Sequence, residues 1–315
     1  MDALSKIFDD IHLNQSEYIY LKAKNNWAFQ YHDQGAIIAY VIMQGQCILH
    51  LDQKTIALEA GDLILIPSGQ KHLCTASKDQ VFNDALNITS LFNEKRHKTI
   101  ELQSDEKPQH EECLILAMRG HIDSIMAKPL LNALPQYMHI QHIMSSTAPE
   151  WLQIGLQFLA VEAHQIRPGR DKILDHLVSI LFIECVRDYI AQLKDSKNWL
   201  NALSHPELSN ALAVIHGQPE QVWTVESLAE QCCMSRSKFA NLFTQMIGET
   251  PLAYLQQHRL RLASQHLRQG QFSIQQIAHK VGYSSETAFS QTFKRTFDLT
   301  PSQYRQQFQS KLKTQ

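Results

Sequence analysis

Short apolar runs separated by glycine-containing turns dominate the first 145 residues. Residues 36–51 hold two runs rich in apolar and β-branched side chains, broken by Gly45, and this pattern is typical of a β-hairpin. Residues 56–66 add a second pair of runs around another glycine. Short strands at this spacing predict a sandwich or a small barrel rather than a sheet of alternating strands and helices.

Two helices are predicted to follow the β-rich region. Pro149 can occupy the first turn of one helix, and Pro168 with Gly169 ends it. The second helix is expected from about Asp171 to Leu193, and its apolar positions cover more than one face. Two packing surfaces are therefore needed. They are either the β-rich region together with the partner helix, or a second subunit, and the residues leave both readings open.

An internal repeat lies within residues 224–305. Ala229 matches Ala278 at an offset of 49 residues. Five further residues recur at an offset of 50: Phe239, Phe243, Thr250, Pro251 and Tyr254 match Phe289, Phe293, Thr300, Pro301 and Tyr304. The change of one residue falls in a turn between two predicted helices. Each copy therefore has the helix-turn-helix pattern of a small residue, a turn and a second amphipathic helix.

Residues with a strong N-cap preference stand before the helices of the repeat. They are Thr224 and Ser235 in the first copy, and Ser273 with Ser284 or Ser285 in the second. Between the copies, Thr250 and Pro251 begin a helix that is expected to end near Gly270. The repeat thus predicts two helix-turn-helix units joined by one long helix.

Charge is distributed unequally along the chain. Residues 1–204 carry a net charge of −6, and residues 205–315 carry +4. A basic excess on the part that contains the repeat fits a module with an anionic partner such as nucleic acid.

The remaining composition excludes several classes of protein. Hydrophobic residues make up 44 % of the 315 residues and charged residues 19 %, a globular balance in a chain long enough for about two domains. The longest apolar run, residues 36–43, is far shorter than the roughly 20 residues that span a bilayer, and the acidic N-terminus lacks a signal-peptide pattern. Six cysteines without metal-ligand spacing fit reduced thiols. We expect a soluble cytoplasmic protein with no membrane partner.

Four stretches of the repeat region, at residues 223–231, 234–243, 277–295 and 300–305, carry a family resemblance. Residues 206–305 resemble the DNA-binding domain of the AraC-type bacterial transcription regulators. The resemblance implies that each helix-turn-helix unit places its second helix in a major groove, with consecutive groove entries on one face about 34 Å apart.

The resemblance also implies roles for single residues. The base-contact candidates are Arg236, Ser237, Lys238, Ala240 and Asn241 in the first unit, and Glu286, Thr287, Ser290 and Gln291 in the second. Lys294 and Arg295 are expected to hold phosphate. For each charged residue the competing interpretation is a solvated helix face. Two positions depart from the family pattern: Cys233 stands where relatives usually have glycine, and Gln291 stands where many have arginine.

The first 130 residues resemble the cupin-type sensor of a subgroup of these regulators. The matching positions are Trp27, His32, Gly35, residues 41–45 and residues 61–72. Later matches are Leu134, Pro135, Trp199, Leu200 and Leu203, so the resemblance to these regulators runs through the whole chain. The resemblance implies an effector pocket that includes Trp27, His32 and His72. Metal-bearing cupins use a closely spaced histidine pair, an acid and a later histidine. The pair is missing here, so we predict neither a metal nor a cofactor.

The expected fold class is therefore α+β with two domains. An N-terminal cupin-like β-barrel with a helical dimerisation hairpin precedes a C-terminal all-α domain with two helix-turn-helix units. The expected boundaries are residues 1–145 for the sensor, 146–196 for the hairpin, 197–206 for the linker and 207–315 for the DNA-binding domain.

The resemblance implies an effector-responsive, sequence-specific transcription regulator, more often an activator than a repressor. Its expected partners are double-stranded promoter DNA, RNA polymerase and a second copy of the chain. The signal is either a small molecule in the barrel or an oxidant that acts on Cys47, Cys74 and Cys113. The sequence contains no recognisable catalytic motif, so we predict that the protein is not an enzyme and has no catalytic residues. The alternative is a cupin-type metal-dependent enzyme with an appended helical domain.

Overall fold

The computed structural model describes residues 2–11, 14–77, 85–94, 99–103, 112–141, 143, 150–164, 168–193 and 199–312. Its strands are β1 (Asn14–Lys24), β2 (Ala28–Tyr31), β3 (Ala36–Gln44), β4 (Gln46–Leu51), β5 (Lys54–Glu59), β6 (Leu63–Ile66), β7 (His72–Thr75), β8 (Leu86–Asn87), β9 (Thr99–Gln103), β10 (Cys113–His121) and β11 (Met138–Ile140).

The helices are α1 (Ala3–Ile11), α2 (Leu91–Glu94), α3 (Ser124–Ala133), α4 (Glu150–His164), α5 (Arg170–Gln192), α6 (Trp199–Ser204), α7 (Ser209–Gly217), α8 (Val225–Gln231), α9 (Arg236–Ile247), α10 (Pro251–Gln269), α11 (Ile274–Lys280), α12 (Glu286–Phe297) and α13 (Pro301–Leu312). None of these helices is both long enough and apolar enough to span a membrane, as far as the described residues go.

Contacts divide the chain into two compact units. The β unit comprises residues 12–124 and 134–192, and the helical unit comprises residues 1–11, 125–133 and 193–315. Helix α1 packs on α7 within the helical unit, and Ile125 at the start of α3 packs against the core of the same unit. The chain thus enters the helical unit three times, whereas the expected domain boundaries are contiguous segments. Those boundaries stay a prediction.

Two sheets form the β unit. One has the strand order β11-β6-β3-β10-β1-β9 and the other β5-β4-β7-β2-β8. Neighbouring strands are antiparallel except where β9 joins β1 and β8 joins β2. The β-hairpin predicted over residues 36–51 is wrong: β3 and β4 do flank Gly45, but the chain crosses from one sheet to the other there, so β3 pairs with β10 and β6 while β4 pairs with β5 and β7. The inward side chains of both sheets form one apolar core that includes Phe29, Tyr40 and Ile64, as two packed sheets require.

A buried ion pair crosses the larger sheet. Glu17 on β1 lies directly opposite Arg119 on β10, and their side chains are 2 % and 3 % exposed. Arg119 Nε donates to Glu17 Oε2 at 2.8 Å, Nη1 donates to the carbonyl oxygen of Thr89 at 3.1 Å, and the guanidinium lies over the Phe92 ring. Two charges are therefore desolvated together, with hydrogen bonds to each.

Helices α4 and α5 form the expected hairpin and belong to the β unit. Helix α5 packs on β1, β10 and α4, with Leu181, Phe182 and Val186 buried. Arg170 at its start donates a hydrogen bond to the Tyr18 hydroxyl on β1. Pro149, expected in the first turn of α4, lies outside the described residues. One apolar face of α5 is thus buried against its own unit.

The helical unit confirms the repeat. Thr224 and Ser273 cap α8 and α11 with full capping boxes, and Ser235 and Ser285 cap α9 and α12. Thr250 caps α10, whose first residue is proline. Each cap accepts a hydrogen bond from a backbone N–H that would otherwise have no partner within its helix. Short polar residues therefore fix where five of these helices begin.

Cys233 has φ 53°, a left-handed conformation. The equivalent residue of the second unit is Gly282, with φ 82°. Glycine adopts this conformation without a steric penalty, while a residue with a Cβ pays about 1 kcal/mol or more. The departure from the family pattern at Cys233 therefore leaves the turn geometry intact and stores a small strain in the first unit.

Candidate nucleic-acid interface

Helix α9 presents a polar face to solvent. Phe239, Phe243 and Met246 are buried at spacings of four and three residues, so the opposite side of the helix is exposed. That side carries four of the predicted base-contacting residues, and the fifth is partly buried. The four are Arg236, Ser237, Lys238 and Asn241, and the fifth is Ala240.

Helix α12 repeats this arrangement. Phe289 and Phe293 are buried, and the predicted contacts are again on the other side. Glu286, Thr287 and Gln291 are exposed, Ser290 is partly buried, and Lys294 and Arg295 are exposed in the last turn. Asn241 and Gln291, fifty residues apart, occupy equivalent positions. Both are amides that can bond two atoms of one adenine.

Helix α10 joins the two helix-turn-helix units. Its 19 residues span roughly 28 Å at 1.5 Å per residue. Tyr254 and Leu255 are buried near its start, and Leu260 and Leu267 further along. Arg259 contacts the loop between α7 and α8: it donates to the carbonyl oxygens of Pro219 and Gln221, both at 2.7 Å. A connecting helix that packs against the core and is hydrogen-bonded to a neighbouring loop can hold α9 and α12 in a fixed relative orientation.

Two of the predicted base contacts are ion-paired in the free protein. Arg236 Nε lies 2.8 Å from Glu226 Oε1, and Lys238 Nζ lies 2.7 Å from Glu207 Oε1. All four side chains are exposed. The spacing of residues in the sequence gave no signal for the Lys238 pair, since its partners are 31 residues apart. DNA must therefore compete with two carboxylates for these cations.

The predicted effector residues occupy two different environments. Trp27 is buried and stacks on Phe29, and His72 is buried between Tyr31 and Tyr40. His32 is exposed. The structure therefore places Trp27 and His72 in the core of the β unit and His32 at its surface.

His72 is held as a neutral ring. Its Nδ1–H donates to the carbonyl oxygen of Gln70 at 2.7 Å, and its Nε2 accepts from the Tyr40 hydroxyl at 2.8 Å. The pKa of His72 is lowered to about 4, chiefly by burial; the hydrogen bond to the Gln70 carbonyl opposes this change and the nearby His32 adds to it. The ring is thus an uncharged, doubly hydrogen-bonded part of the core at neutral pH.

Cys47, Cys74 and Cys113, the predicted targets of an oxidant, are buried thiols. A hydrogen bond that the Cys47 thiol makes to Cys74, together with burial, raises the pKa of Cys47 well above its usual value. Burial also raises the pKa of Cys113. Because the thiolate is the reactive form, Cys47 and Cys113 are poor nucleophiles at neutral pH.

Comparisons with known families match both the N-terminal and the C-terminal part of the chain. A cupin description matches residues 2–191, and a helix-turn-helix domain description matches residues 228–307. The chain is 60 % identical over 308 residues to AlkR, an HTH-type transcriptional regulator of Acinetobacter baylyi, which covers 98 % of this chain and 100 % of that protein. The chain belongs to the AraC family of helix-turn-helix transcriptional regulators.

Further relatives match parts of this AraC-family regulator. RclR, the RCS-specific HTH-type transcriptional activator of Escherichia coli, is 37 % identical over 180 residues, 57 % of this chain and 63 % of that protein. A solved AraC-type regulator from Chromobacterium violaceum is 34 % identical and covers 34 % of this chain and 96 % of that chain, with a TM-score of 0.32. The regulator is a DNA-binding protein with an N-terminal cupin domain and is not an enzyme.

Releasing Arg236 from its carboxylate is expected to strengthen DNA binding by this AraC-family regulator. In Glu226→Gln, Arg236 has no ion pair to break before it can contact DNA. An exposed pair is worth up to about 1 kcal/mol, so the dissociation constant should fall about two- to fivefold at low salt. Fluorescence anisotropy on a labelled duplex measures this change.

Glu230→Gln is the matched control, because Glu230 is exposed on the same helix and its removal changes the net charge equally. It should have the smaller effect. Equal effects of the two variants would show that general repulsion, and not the Arg236 pair, limits binding.

Proposed function

We propose that this regulator activates transcription by placing α9 and α12 in consecutive major grooves of a promoter, in response to a signal received by its cupin domain. The observation that carries the proposal is the pair of equivalent polar faces, exposed on α9 and α12 while the opposite faces are buried. A helix with this distribution of side chains can enter a groove without exposing its core. An activator bound in this way has RNA polymerase as its second partner.

The proposal assigns different roles to the exposed residues. Asn241 and Gln291 pair with adenine, and Arg236 and Lys238 pair with guanine, because these side chains match the hydrogen-bonding edges of those bases. The smaller side chains fill the groove between them; they are Ser237, Ala240, Thr287 and Ser290, with Glu286 as an acceptor for cytosine. Lys294 and Arg295 bind phosphate and fix the register.

Substitution of the two amides tests the proposal. A binding site is first selected from random duplexes with the unaltered protein. Asn241→Ala and Gln291→Ala should then each relax preference at one base step, by about 1–3 kcal/mol if the pairing is bidentate. The measurement is competition binding with single-base variants of the selected site.

Two further variants make the result specific. Lys294→Ala should weaken binding to every sequence equally and reduce the salt dependence by about one ion. Gln275→Ala, an exposed amide on α11, should change neither property. A uniform loss across sequences for Asn241→Ala and Gln291→Ala would assign them to phosphate and contradict base reading.

For the signal we favour a small molecule over thiol oxidation. Cys47, Cys74 and Cys113 are all buried, and the raised pKa of Cys47 and Cys113 keeps both protonated and slow to react. A small molecule that reaches His72 would compete for the hydrogen bond of Tyr40 and so change the core of the β unit. His32, at the surface, would contact the effector at the entrance.

The hairpin of α4 and α5 is the proposed homodimer surface. Among the hairpin side chains that the structure describes, the large apolar residues that are exposed are Ile154, Phe158, Ile173 and Ile180. An exposed apolar patch of this kind is typical of a protein contact, and a second copy of the chain would cover it symmetrically. Sedimentation velocity should show a dimer that Phe158→Glu converts to a monomer. Leu86→Glu, at an equally apolar exposed position elsewhere in the β unit, should leave the dimer intact.

A further inference from the structure

Three potential metal ligands converge inside the helical unit. Asp10 comes from α1, His216 from α7 and His258 from α10. Asp10 Oδ2 lies 2.9 Å from His216 Nδ1 and 3.9 Å from His258 Nε2. One ligand atom from each residue lies within 4.8 Å of the others. This spacing lets one small ion contact all three at once.

His258 is the residue that ordinary packing does not explain. Its side chain is 1 % exposed, and neither ring nitrogen has a hydrogen-bond partner. A buried polar group without a partner is unfavourable, and in native proteins it points to an ion, a water or a functional role. The distance of 3.9 Å from Asp10 is too long for a hydrogen bond but suits two ligands of one metal.

A hydrogen bond on the side of the ring away from Asp10 fixes the orientation of His216. Its Nε2 lies 2.8 Å from the Tyr254 hydroxyl oxygen, and Trp199 Nε1 donates to the same oxygen at 3.2 Å. Because a carboxylate only accepts, Nδ1–H donates to Asp10 Oδ2 and Nε2 accepts from the Tyr254 hydroxyl; a metal ion would take the place of the Nδ1 proton, and Nε2–H would then donate to Tyr254. A second hydrogen bond that fixes the ring and its tautomer is the arrangement found around histidine ligands in metalloproteins.

The charged groups around the site include one carboxylate and two guanidinium groups. Asp10 supplies the negative charge. Arg261 and Arg259 are the cations that act on His258, and they oppose both a proton and a metal there.

We propose that Asp10, His216 and His258 bind one divalent transition-metal ion, with zinc the best match. Two imidazole nitrogens and one carboxylate oxygen are a ligand set that zinc accepts, with water in the fourth position. The ion joins α1, at the start of the chain, to α7 and α10, the helix that connects the two DNA-reading units. Metal occupancy therefore stabilises the helical unit.

The test is zinc binding by the full-length protein after treatment with a chelator. Titration against a chromophoric competitor should show one tight site in the unaltered protein. Asp10→Asn and His258→Gln should each raise the dissociation constant by at least roughly tenfold, since even substitutions behind the ligands cost 10–100-fold. Asp9→Asn and His279→Gln are the matched controls, because both residues are exposed in the same unit, and they should bind as the unaltered protein does.

Cobalt substitution identifies the ligands. The bound ion should show visible bands of a nitrogen and oxygen site without thiolate charge transfer, which separates this site from Cys232 and Cys233. Zinc should raise the melting temperature of the unaltered protein and of Asp9→Asn but not of Asp10→Asn. Absence of saturable binding, a thiolate band, or unchanged affinity in Asp10→Asn overturns the proposal. Asp10 is partly exposed, so Asp10→Asn decides the matter even if His258→Gln fails to fold.

Discussion

Replacing Arg119 with leucine is expected to lower the free energy of unfolding of the β unit by about 3–5 kcal/mol. The substitution leaves Glu17 buried at 2 % exposure without its counter-charge. It also removes the hydrogen bond to Thr89 and the contact with the Phe92 ring. Hydrogen exchange of peptides from β1 and β10, measured by mass spectrometry, reports the opening free energy of these strands.

Two further variants separate the buried charge from the loss of any ion pair. Glu112→Gln breaks exposed pairs with Lys22 and Lys24 beside the same strands, and it should leave the exchange of β1 and β10 unchanged. The double variant Glu17→Leu with Arg119→Leu removes both charges and should recover most of the stability lost in Arg119→Leu. If Arg119→Leu behaves like Glu112→Gln, the pair is not the element that holds β1 against β10.

The parts of this fold that the sequence predicted are those encoded by near neighbours. The caps at Thr224, Ser235 and Ser273 act on backbone groups within three residues, so composition and spacing reveal them. The inward positions of α9 and α12 follow from helical periodicity. The departure at Cys233 was visible from the family resemblance, because relatives usually have glycine at this position, and the backbone there is left-handed.

Long-range pairings were not predictable in the same way. Glu17 and Arg119 are 102 residues apart, and Asp10 and His216 are 206 apart. Neither pair leaves a periodic signal, because its two partners lie on different elements that are far apart in the chain. The grouping of α1 and α3 with the C-terminal helices was missed for the same reason. An amphipathic helix shows that it packs, but its own sequence does not show against what.

The β unit is also expected to lose stability in mild acid through His72. Its pKa is about 4 in the folded protein against an ordinary value of 6.5. Between these values the unfolded chain binds more protons than the folded one, so the free energy of unfolding falls as the pH falls from 6.5 to 4. The stabilisation is complete above pH 6.5. A difference of this size corresponds to about 3 kcal/mol.

The physical reason lies in the two hydrogen bonds of the ring. Nδ1 already donates to Gln70, and Nε2 accepts from Tyr40. A proton on Nε2 would face the hydrogen of the Tyr40 hydroxyl. The hydroxyl would then have to rotate and could no longer donate to Nε2. The added charge would also lie in an apolar core. Protonation therefore removes a hydrogen bond and buries an unpaired charge in the same step.

Exchange of β3 and β7 peptides at pH 7 and pH 4.5, corrected for the intrinsic rate, measures the effect. His72→Gln should be less stable at pH 7 but should lose most of the pH dependence, because the side chain no longer titrates. His50→Gln is the matched control: His50 lies on the adjacent strand β4 and bonds Thr75, yet it is only partly buried, so its removal should leave most of the pH dependence in place. An unchanged pH dependence in His72→Gln would place the acid-sensitive group elsewhere in the β unit.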